Sequence, residues 1–358
     1  MRATVGLAVP ADDQEIRGLL RRQPIPGRVS IAFEREPSFA TGCEVTGEDP
    51  LVLVARAEAG QVVGVACRSV RNVFINGRPE RLGYWGQLRI EEGFRGRWLV
   101  ARGFSLLADI DRADPVPAYL ASIVDGSDEA AGILVRRRRS SFPLFRQVAR
   151  YHTLALSIRR RTRPLSSGPS IMAGSYDQLP EIVAFLRHEG ARRQLFPVWT
   201  VEALGRLAPL GLRPEDLRIA RRGGHIVGVV GLWDQSAYKQ AVVRNYSGWL
   251  KAASWLGRSI VPRVGDHLRS TYAALIAVAD DDAGVFAGLL AEVHALAGDR
   301  GFRYLLVGLD ERDPLLGAAR AYRHVAYPSR LYLASWAHGR HLHEHLDDRP
   351  AYVDIATL

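Results

Sequence analysis

The chain repeats part of its own sequence, and this repeat limits the folds that are open to it. The stretch AGQVVGV begins at Ala59, and the similar stretch GGHIVGV begins at Gly223. Positions 60 and 62–65 of the first match positions 224 and 226–229 of the second at one constant offset. Each stretch predicts a β-hairpin, because a glycine-containing turn precedes β-branched residues. The sequence therefore predicts two related halves.

The segments after the two hairpins follow the same order. In the first half we predict a strand at 84–90, a helix, a strand at 118–124, a short helix from Glu129 and a strand at 148–158. In the second half we predict a strand at 272–279, a helix, a strand at 304–309, a short helix at 314–323 and a strand at 330–336. Asn76 and Gly77 add a further hairpin turn. This order predicts an α+β fold with a mixed sheet flanked by helices.

Length and a linker-like segment divide the chain. A single core rarely grows beyond about 250 residues, and this chain has 358. Residues 161–170 read RTRPLSSGPS, and this proline- and serine-rich composition is typical of linkers. We therefore expect an N-terminal domain at 1–160, a linker at 161–170 and a C-terminal domain at 171–358. Asp12 and Glu15 form a capping-box pattern ahead of the first helix.

Composition indicates an ordinary globular chain. Hydrophobic residues make up 47% and charged residues 24%, which excludes disordered and collagen-like classes. No apolar run approaches the roughly 18 residues that cross a bilayer, and the N-terminal residues lack a signal-peptide pattern. These features predict a cytoplasmic protein that does not enter a membrane. Cys43 and Cys67 stand in no disulfide, metal or redox spacing.

Arginine dominates the positive charge, which gives a formal net charge of +10. Lys239 and Lys251 are the only lysines. Arginines cluster at 136–139 and at 159–163, and such runs suit phosphate groups. A solvated charged surface explains the same runs, and no nucleic-acid-binding signature accompanies them.

A turn rich in glycine and arginine is the strongest candidate for a binding site. The segment LRIEEGFRGRWLVARGFSLL covers residues 88–107 and predicts a strand, a turn and a helix. The turn contains Gly93, Arg95, Gly96 and Arg97. A helix N-terminus offers unpaired N–H groups and positive potential, and arginine adds charge-assisted hydrogen bonds. The turn therefore suits a pyrophosphate group.

This segment and the order of elements resemble the GCN5-related N-acetyltransferase (GNAT) superfamily, whose signature turn wraps the pyrophosphate of acetyl-CoA. Ile90, Arg95 and Gly96 match that signature, whereas Trp98 and Val100 stand where later glycines fall. The resemblance covers both halves, so the chain looks like a tandem GNAT protein with degenerate motifs. It implies that acetyl-CoA or another acyl-CoA is bound. The implied contacts are Ile90, Arg95, Gly96, Arg97, Trp98, Leu99, Val100 and Ser127.

The resemblance also implies catalytic candidates. In the family, a carboxylate near the central strand is commonly the base, and Glu91 and Glu92 follow that strand here. A tyrosine after the penultimate strand often protonates the CoA thiolate, and Tyr322 falls at the matching place. A tyrosine packed in the helix–sheet core is the alternative for Tyr322. The second half has Asp280, Asp281 and Asp282 at its turn, which would repel a pyrophosphate and cap the helix instead.

Histidines cluster near the end of the sequence. His338, His341, His343 and His345 lie in AHGRHLHEHLDD, which fits no defined zinc spacing. We therefore predict no metal site, and we expect the cluster in a polar segment before residues 352–355, whose alternation indicates an additional strand or a pairing between the repeats.

Three functional hypotheses follow. The first is an acyl-CoA-dependent N-acyltransferase, with acetyl-CoA as donor and a primary amine on a small molecule or peptide as acceptor. In it the first half binds acyl-CoA and the second half shapes the acceptor pocket. The second is a Fem-like transferase that takes aminoacyl groups from tRNA. The third is a GNAT-fold binding or scaffold protein without catalysis, because a fold does not carry its function with it.

Overall fold

The computed structural model describes residues 3–25, 27, 29–95, 97–126, 132, 142–158, 169–247 and 262–358, with only the main chain of Arg97 and His343. The described chain forms two compact units. Unit 1 contains residues 1–69, 85–115 and 235–269, and unit 2 contains residues 70–84, 116–234 and 270–358. The predicted arginine runs and most of the predicted linker lie outside the described residues.

Fourteen strands are described. They are β1 (Ala3–Leu7), β2 (Val29–Glu34), β3 (Glu48–Ala57), β4 (Val62–Ile75), β5 (Arg78–Ile90), β6 (Tyr119–Val124), β7 (Leu144–Ser157), β8 (Ser170–Ala173), β9 (Leu217–Arg222), β10 (His225–Trp233), β11 (Gln240–Tyr246), β12 (Ser270–Val278), β13 (Tyr304–Asp310) and β14 (His324–Ser335).

The described α-helices lie between these strands, except for the last helix, which follows β14. They are α1 (Asp13–Arg22), α2 (Phe39–Glu44), α3 (Arg97–Ala113), α4 (Leu179–Gly190), α5 (Val201–Gly205), α6 (Ala283–Asp299), α7 (Leu316–Arg320) and α8 (Arg340–Glu344). The fold is α+β, as the sequence predicts.

Unit 1 packs helices on one sheet and adds a second, smaller sheet. Strands β1, β3, β4 and β5 are neighbours in that order, and β2 pairs with β11 in an antiparallel ribbon. Ile16, Leu19 and Leu20 lie on one face of α1 because residues three and four apart meet on a helix. They form a buried core with Phe39 of α2 and Val65 of β4.

Unit 2 contains a long sheet of mixed direction. In it β6 and β7 flank β14, β13 follows β7, and β12, β10, β9 and β8 continue the order. The pairs on both sides of β14 are antiparallel, and β12 and β13 are parallel. The predicted hairpin turns are confirmed: Asn76 and Gly77 have φ of 51° and 79°, and Gly223 and Gly224 have φ of 58° and 85°.

The two strand–turn–helix segments match in detail. β5 ends at Ile90 and β12 ends at Val278, and each is followed by a three-residue 3-10 turn and a 17-residue helix. Gln87 and Leu275, each three residues before the end of its strand, have φ of 58° and 55°. Positive φ is uncommon outside glycine, so its recurrence at the same place marks one local geometry used twice.

Three predicted local features are wrong. The helix predicted at 314–323 ends at Arg320, so Tyr322 lies in the turn after α7. The additional strand predicted at 352–355 is extended chain followed by a 3-10 turn at Ile355–Thr357. The capping box of Asp12 and Glu15 does not form, because the Glu15 carboxylate accepts a hydrogen bond from Val62 N at 2.7 Å and Asp12 accepts one from Val9 N at 2.6 Å.

Candidate functional site

The segment from β5 to α3 forms one continuous surface of unit 1. The last residues of β5 are partly exposed, and Leu88 has 40% of its surface exposed. The side chains of Ile90 and Phe94 pack on a small core of Ala3, Ala55, Val63 and Leu99. These contacts hold the turn between strand and helix against that core.

The two candidate carboxylates have different surroundings. Glu91 is half-buried, and its Oε1 lies 3.5 Å from Nε of Arg22 at the end of α1. Its Oε2 is buried and has no hydrogen-bond partner within the described part of the chain. Glu92 is exposed at the first position of the 3-10 turn. Glu91 is thus held by an ion pair, whereas Glu92 is open to solvent.

Arg95 is exposed, and its hydrogen bonds stabilise the turn between β5 and α3. Its Nε donates a hydrogen bond to Ile90 O at 3.3 Å, and its Nη2 donates one to Gln23 Oε1 at 3.0 Å. Arg97 begins α3, so it stands at the helix N-terminus. Of the predicted contacts, Gly96 and Ser127 lie outside the described residues.

The predicted contact residues in the first turn of α3 differ in how exposed they are. Trp98 has 38% of its surface exposed, and the guanidinium of Arg102 lies 5.3 Å from its ring centroid. Arg102 also donates a hydrogen bond to Ala3 O at 3.0 Å. Leu99 is 4% exposed in the core, so only its main chain can face a ligand. Val100 is half-buried.

In unit 2, the strand equivalent to β5 is β12, and it pairs with its parallel neighbour β13 over only part of its length. β12 pairs with β13 only from Ser270 to Tyr272, so its last six residues diverge from β13. Residues 351–357 of the same chain fill this opening, and each of them is at least 93% buried. We call these residues the tail segment. A Cβ atom added to Gly308 of β13 would lie 2.2 Å from Cγ2 of Ile355, so the fit there requires glycine.

Side chains of the tail segment accept hydrogen bonds from main-chain N–H groups near the end of β12. Asp354 Oδ2 accepts a hydrogen bond from Leu275 N, and the Tyr352 hydroxyl accepts one from Ile276 N, both at 2.9 Å. The Tyr151 hydroxyl of β7 contacts Val353 O at 2.6 Å and Val353 N at 3.1 Å. Burial raises the pKa of Tyr352 and Tyr151 well above the ordinary value, so both phenols stay neutral.

Little space remains beside the tail segment. A cavity of about 10 Å³, room for about one water, is lined by Glu189, Arg193, Asp313, Tyr352 and the end of β12. Arg193 Nη1 lies 3.3 Å from Asp313 Oδ2. Burial raises the pKa of Asp313.

The turn of unit 2 is acidic, as the sequence predicts. Asp282 caps α6 by accepting hydrogen bonds from Gly284 N at 2.9 Å and Val285 N at 3.1 Å. The bond from Val285 lowers the pKa of Asp282, helped by Arg222. Asp281 pairs with Arg192 and Arg193. The helix N-terminus that could bind an anion is thus occupied by the protein's own carboxylates.

Tyr322 lies in unit 2, apart in sequence and unit from Glu91 and Glu92. Its ring centroid is 5.0 Å from that of His294 on α6, and burial raises its pKa. His294 is 3% exposed, and its Nε2 lies 3.3 Å from Ser157 O. The ring of Tyr322 therefore packs against α6.

The C-terminal histidines contact main-chain carbonyls. His338 Nε2 lies 3.1 Å from Val116 O, His341 Nδ1 lies 3.1 Å from His338 O, and His345 Nδ1 lies 2.7 Å from His341 O. Within the residues described, no group of three or more histidine, cysteine, aspartate or glutamate side chains could hold a metal ion.

Comparison with solved structures shows what this arrangement resembles. Saccharomyces cerevisiae N-myristoyltransferase with bound myristoyl-CoA is 9% identical, with a TM-score of 0.65 over 93% of this chain and 82% of that one. A GCN5-related N-acetyltransferase from Sphaerobacter thermophilus is 16% identical, with a TM-score of 0.58 over 99% of this chain and 98% of that one. The chain has the fold of these N-acyltransferases.

A third structure with this N-acyltransferase fold is the GCN5-related glucosamine N-acetyltransferase region of a fungal multi-domain GH3 β-N-acetylglucosaminidase. It is 16% identical with a TM-score of 0.61, and the match covers 93% of this chain and 38% of that one. No family model matches the sequence, and no curated protein is similar to it. No helix among the described residues is long and apolar enough to cross a membrane.

The sequence prediction missed the tail segment as a functional feature. The nearest signal is the apolar stretch AYVDIATL at 351–358, in which the alternation at 352–355 predicts a strand. The positive φ of Gln87 and Leu275 also has no signal in the sequence, since neither residue type favours that conformation.

Proposed function

We propose that this protein is an acyl-CoA-dependent N-acyltransferase that binds one acyl-CoA per chain at the segment from β5 to α3. The observation that carries the proposal is the difference between two equivalent segments. Arg95 and Arg97 stand at the start of α3, whereas Asp280, Asp281 and Asp282 stand at the start of α6. The tail segment fills the opening beside β12. Only the first segment suits a polyanionic ligand.

The residues of unit 1 can supply the binding contacts. The N-terminus of α3 with Arg95 and Arg97 would hold a pyrophosphate through main-chain N–H groups and guanidinium groups. Trp98 offers an exposed ring beside that position. The main chain of Ile90, the last residue of β5, would contact the acyl-bearing arm. Gly96 and Ser127 complete the proposed set.

Acyl transfer to an amine needs a base for the ammonium proton, a donor for the oxyanion and an acid for the thiolate. Glu92 is the proposed base because it is exposed, whereas Glu91 is paired with Arg22 and orders the turn. Tyr322 is the proposed acid only if the second half takes part in the chemistry. Because burial raises its pKa, the hydroxyl keeps its proton at neutral pH.

The donor and the acceptor are proposed as classes. Acetyl-CoA is the first donor to test, and longer acyl-CoA molecules follow because one protein with this fold binds myristoyl-CoA. The acceptor is a primary amine on a small molecule or peptide. We propose domains at 1–160 and 171–358, in which the first binds acyl-CoA and the second shapes the acceptor pocket, and a cytoplasmic location.

The test is release of free CoA thiol from acetyl-, octanoyl- and myristoyl-CoA in the presence of a panel of amines. We expect amine-dependent thiol release with at least one donor. Glu92→Gln should lower kcat by about 100-fold or more if Glu92 is the base. Glu80→Gln, an exposed carboxylate on β5, is the matched control and should leave kcat unchanged.

Measurements of acyl-CoA and tRNA binding, made beside the thiol assay, separate the alternatives. Binding of acyl-CoA without thiol release from any amine would favour the scaffold hypothesis. Absence of acyl-CoA binding together with salt-sensitive tRNA binding would favour an aminoacyl transferase that uses tRNA. Tyr322→Phe tests whether that tyrosine acts as the acid or only packs against its neighbours. An unchanged kcat would show that it is a packing residue.

A further inference from the structure

Trp98 and Arg102 form a stacked pair on the first turns of α3. The two residues lie four positions apart, so their side chains meet on one side of the helix. The central carbon of the Arg102 guanidinium lies 5.3 Å from the centroid of the Trp98 ring, which is the distance of a cation–π contact. Arg102 Nη1 also donates a hydrogen bond to Ala3 O of β1 at 3.0 Å. The guanidinium is therefore held between β1 and the indole, and it limits the movement of the ring.

Trp98 keeps a large contact with solvent. It is 38% exposed, whereas the next residue, Leu99, is 4% exposed in the core. A tryptophan side chain buries a large apolar area when a fold covers it, and this fold leaves much of it uncovered. Side chains on a helix lean toward its N-terminus, so the indole is directed toward the first turn, whose main-chain N–H groups have no partner within the helix. The pair thus places a flat aromatic surface next to a region that attracts anions.

The equivalent helix of unit 2 lacks this pair. α6 has the same length as α3 and follows the same kind of strand and turn, but its sequence, AGVFAGLLAEVHALAGD, contains neither tryptophan nor arginine. Counted from the first residue of each helix, Gly284 and Gly288 stand where Trp98 and Arg102 stand. Because α6 forms without such a pair, the helix itself does not require it. The aromatic surface belongs to the segment with the arginine-rich turn and not to the segment with the acidic one.

We propose that Trp98 is the stacking surface for the adenine base of the acyl donor, and that Arg102 is a positioning residue that holds the indole. This assignment rests on the proposed function, because it concerns the nucleotide end of the same acyl-CoA molecule. The guanidinium takes one face of the indole, and the base stacks on the other. Every base has a π face that stacks on an aromatic ring, and Arg95 and Arg97 directly precede Trp98 to contact the phosphates.

The assignment specifies the class of acyl donor. An acyl thioester on CoA carries adenine, whereas an acyl thioester on the phosphopantetheine of a carrier protein does not. A site that depends on stacking at Trp98 selects the donor with the nucleotide. We therefore assign acyl-CoA, and not an acylated carrier protein, as the donor. The nucleotide half of CoA, adenosine 3′,5′-bisphosphate, should bind by itself.

The test measures binding of adenosine 3′,5′-bisphosphate and of acetyl-CoA to the full chain by isothermal calorimetry. We expect Trp98→Leu to weaken both by about tenfold or more, and Trp98→Phe to keep most of the affinity because a phenyl ring still stacks. Tyr176→Leu is the matched control, since it removes a ring that is 54% exposed in unit 2, and it should leave both Kd values unchanged. Equal Kd values for Trp98→Leu and Tyr176→Leu would overturn the proposal, and so would the absence of bisphosphate binding.

Tryptophan emission supplies a measurement that a purely structural role does not change. Adenine stacked on an indole quenches its emission, so we expect saturable quenching in the unsubstituted chain and its loss in Trp98→Phe, which still binds the bisphosphate. Arg102→Gln should weaken binding by about threefold and reduce the quenching at saturation, because the indole is no longer held. Arg112→Gln removes an exposed charge from the same helix and should change neither. Unchanged quenching in Arg102→Gln would contradict the role of Arg102.

The outcomes separate this assignment from the transferase proposal. Bisphosphate binding that Trp98→Leu weakens, together with no thiol release from any acyl-CoA, would support the base site and contradict the transferase alone. Amine-dependent thiol release with the same KM in Trp98→Leu as in the unsubstituted chain would contradict the base site and leave the transferase. If circular dichroism shows that Trp98→Leu does not fold, the affinity and quenching of Trp98→Phe decide the assignment.

Discussion

Asp354 Oδ2 accepts a hydrogen bond from Leu275 N at 2.9 Å, and this bond attaches the tail segment to the open end of β12. Leu275 has φ of 55° and is fully buried, so its N–H has no access to water. The bond therefore satisfies a buried main-chain donor that β13 leaves unpaired. It also places a carboxylate in the opening between β12 and β13.

Replacement of Asp354 should destabilise unit 2. Asp354→Ala leaves Leu275 N without a partner and removes the cap of the 3-10 turn at Ala356 N, so we expect a loss of about 2–3 kcal/mol in the free energy of unfolding. Urea denaturation followed by circular dichroism measures the loss. Asp348→Ala is the matched control on an exposed aspartate and should change stability by less than about 0.5 kcal/mol.

Tyr151 provides a second test of the tail segment. Tyr151→Phe removes a buried hydroxyl that contacts both Val353 O and Val353 N and leaves the ring in place. We expect a loss of about 1–3 kcal/mol. Tyr176→Phe, with Tyr176 54% exposed, should be nearly neutral. Equal stabilities for the two variants would show that the hydroxyl does not hold the tail segment.

Charge reversal at the start of α3 tests the proposed pyrophosphate position. Arg97→Glu should weaken acetyl-CoA binding by about tenfold or more, because a charge-assisted hydrogen bond contributes about 1.5–3 kcal/mol. Arg112→Glu reverses a charge in the last turn of the same helix, where the side chain is 76% exposed, and should leave the Kd unchanged. Isothermal calorimetry measures both, and similar Kd values for the two variants would remove Arg97 from the site.

His294 should make the stability of unit 2 depend on pH. Burial lowers the pKa of His294 below its ordinary value of 6.5, although the contact with Ser157 O opposes this. Below pH 6.5 the unfolded chain therefore binds a proton that the folded chain does not, so stability falls as the pH falls. Above pH 6.5 this contribution is complete. We expect urea unfolding of His294→Phe to show a smaller decrease between pH 7.5 and pH 5.5 than the unsubstituted chain does.

Local chemistry explains which parts of the fold the sequence predicts. The turns at Asn76 and Gly224 follow from residue types that tolerate positive φ, and the start of α3 follows from its Gly/Arg turn. The tail segment depends on Tyr151, Gly308 and Leu275, which come from distant parts of the chain. No local pattern could reveal that convergence, so the apolar alternation at its start predicted a strand.

In the candidate site, too, the sequence predicts local features but not tertiary contacts. The position of Arg95 in a turn before a helix is local and was predicted, whereas the pairing of Glu91 with Arg22 depends on how α1 ends beside that turn. Glu15 likewise does not form its expected cap, because its carboxylate accepts a hydrogen bond from Val62 N at the start of β4.

The number of acyl-CoA molecules bound per chain tests the central claim most directly. We would titrate the full chain with acetyl-CoA and myristoyl-CoA in a calorimeter and fit the stoichiometry for each. The difference between the two strand–turn–helix segments predicts one site per chain for the donor that binds. Two sites would contradict the closure of β12 by the tail segment, and no binding of either donor would contradict the acyltransferase proposal.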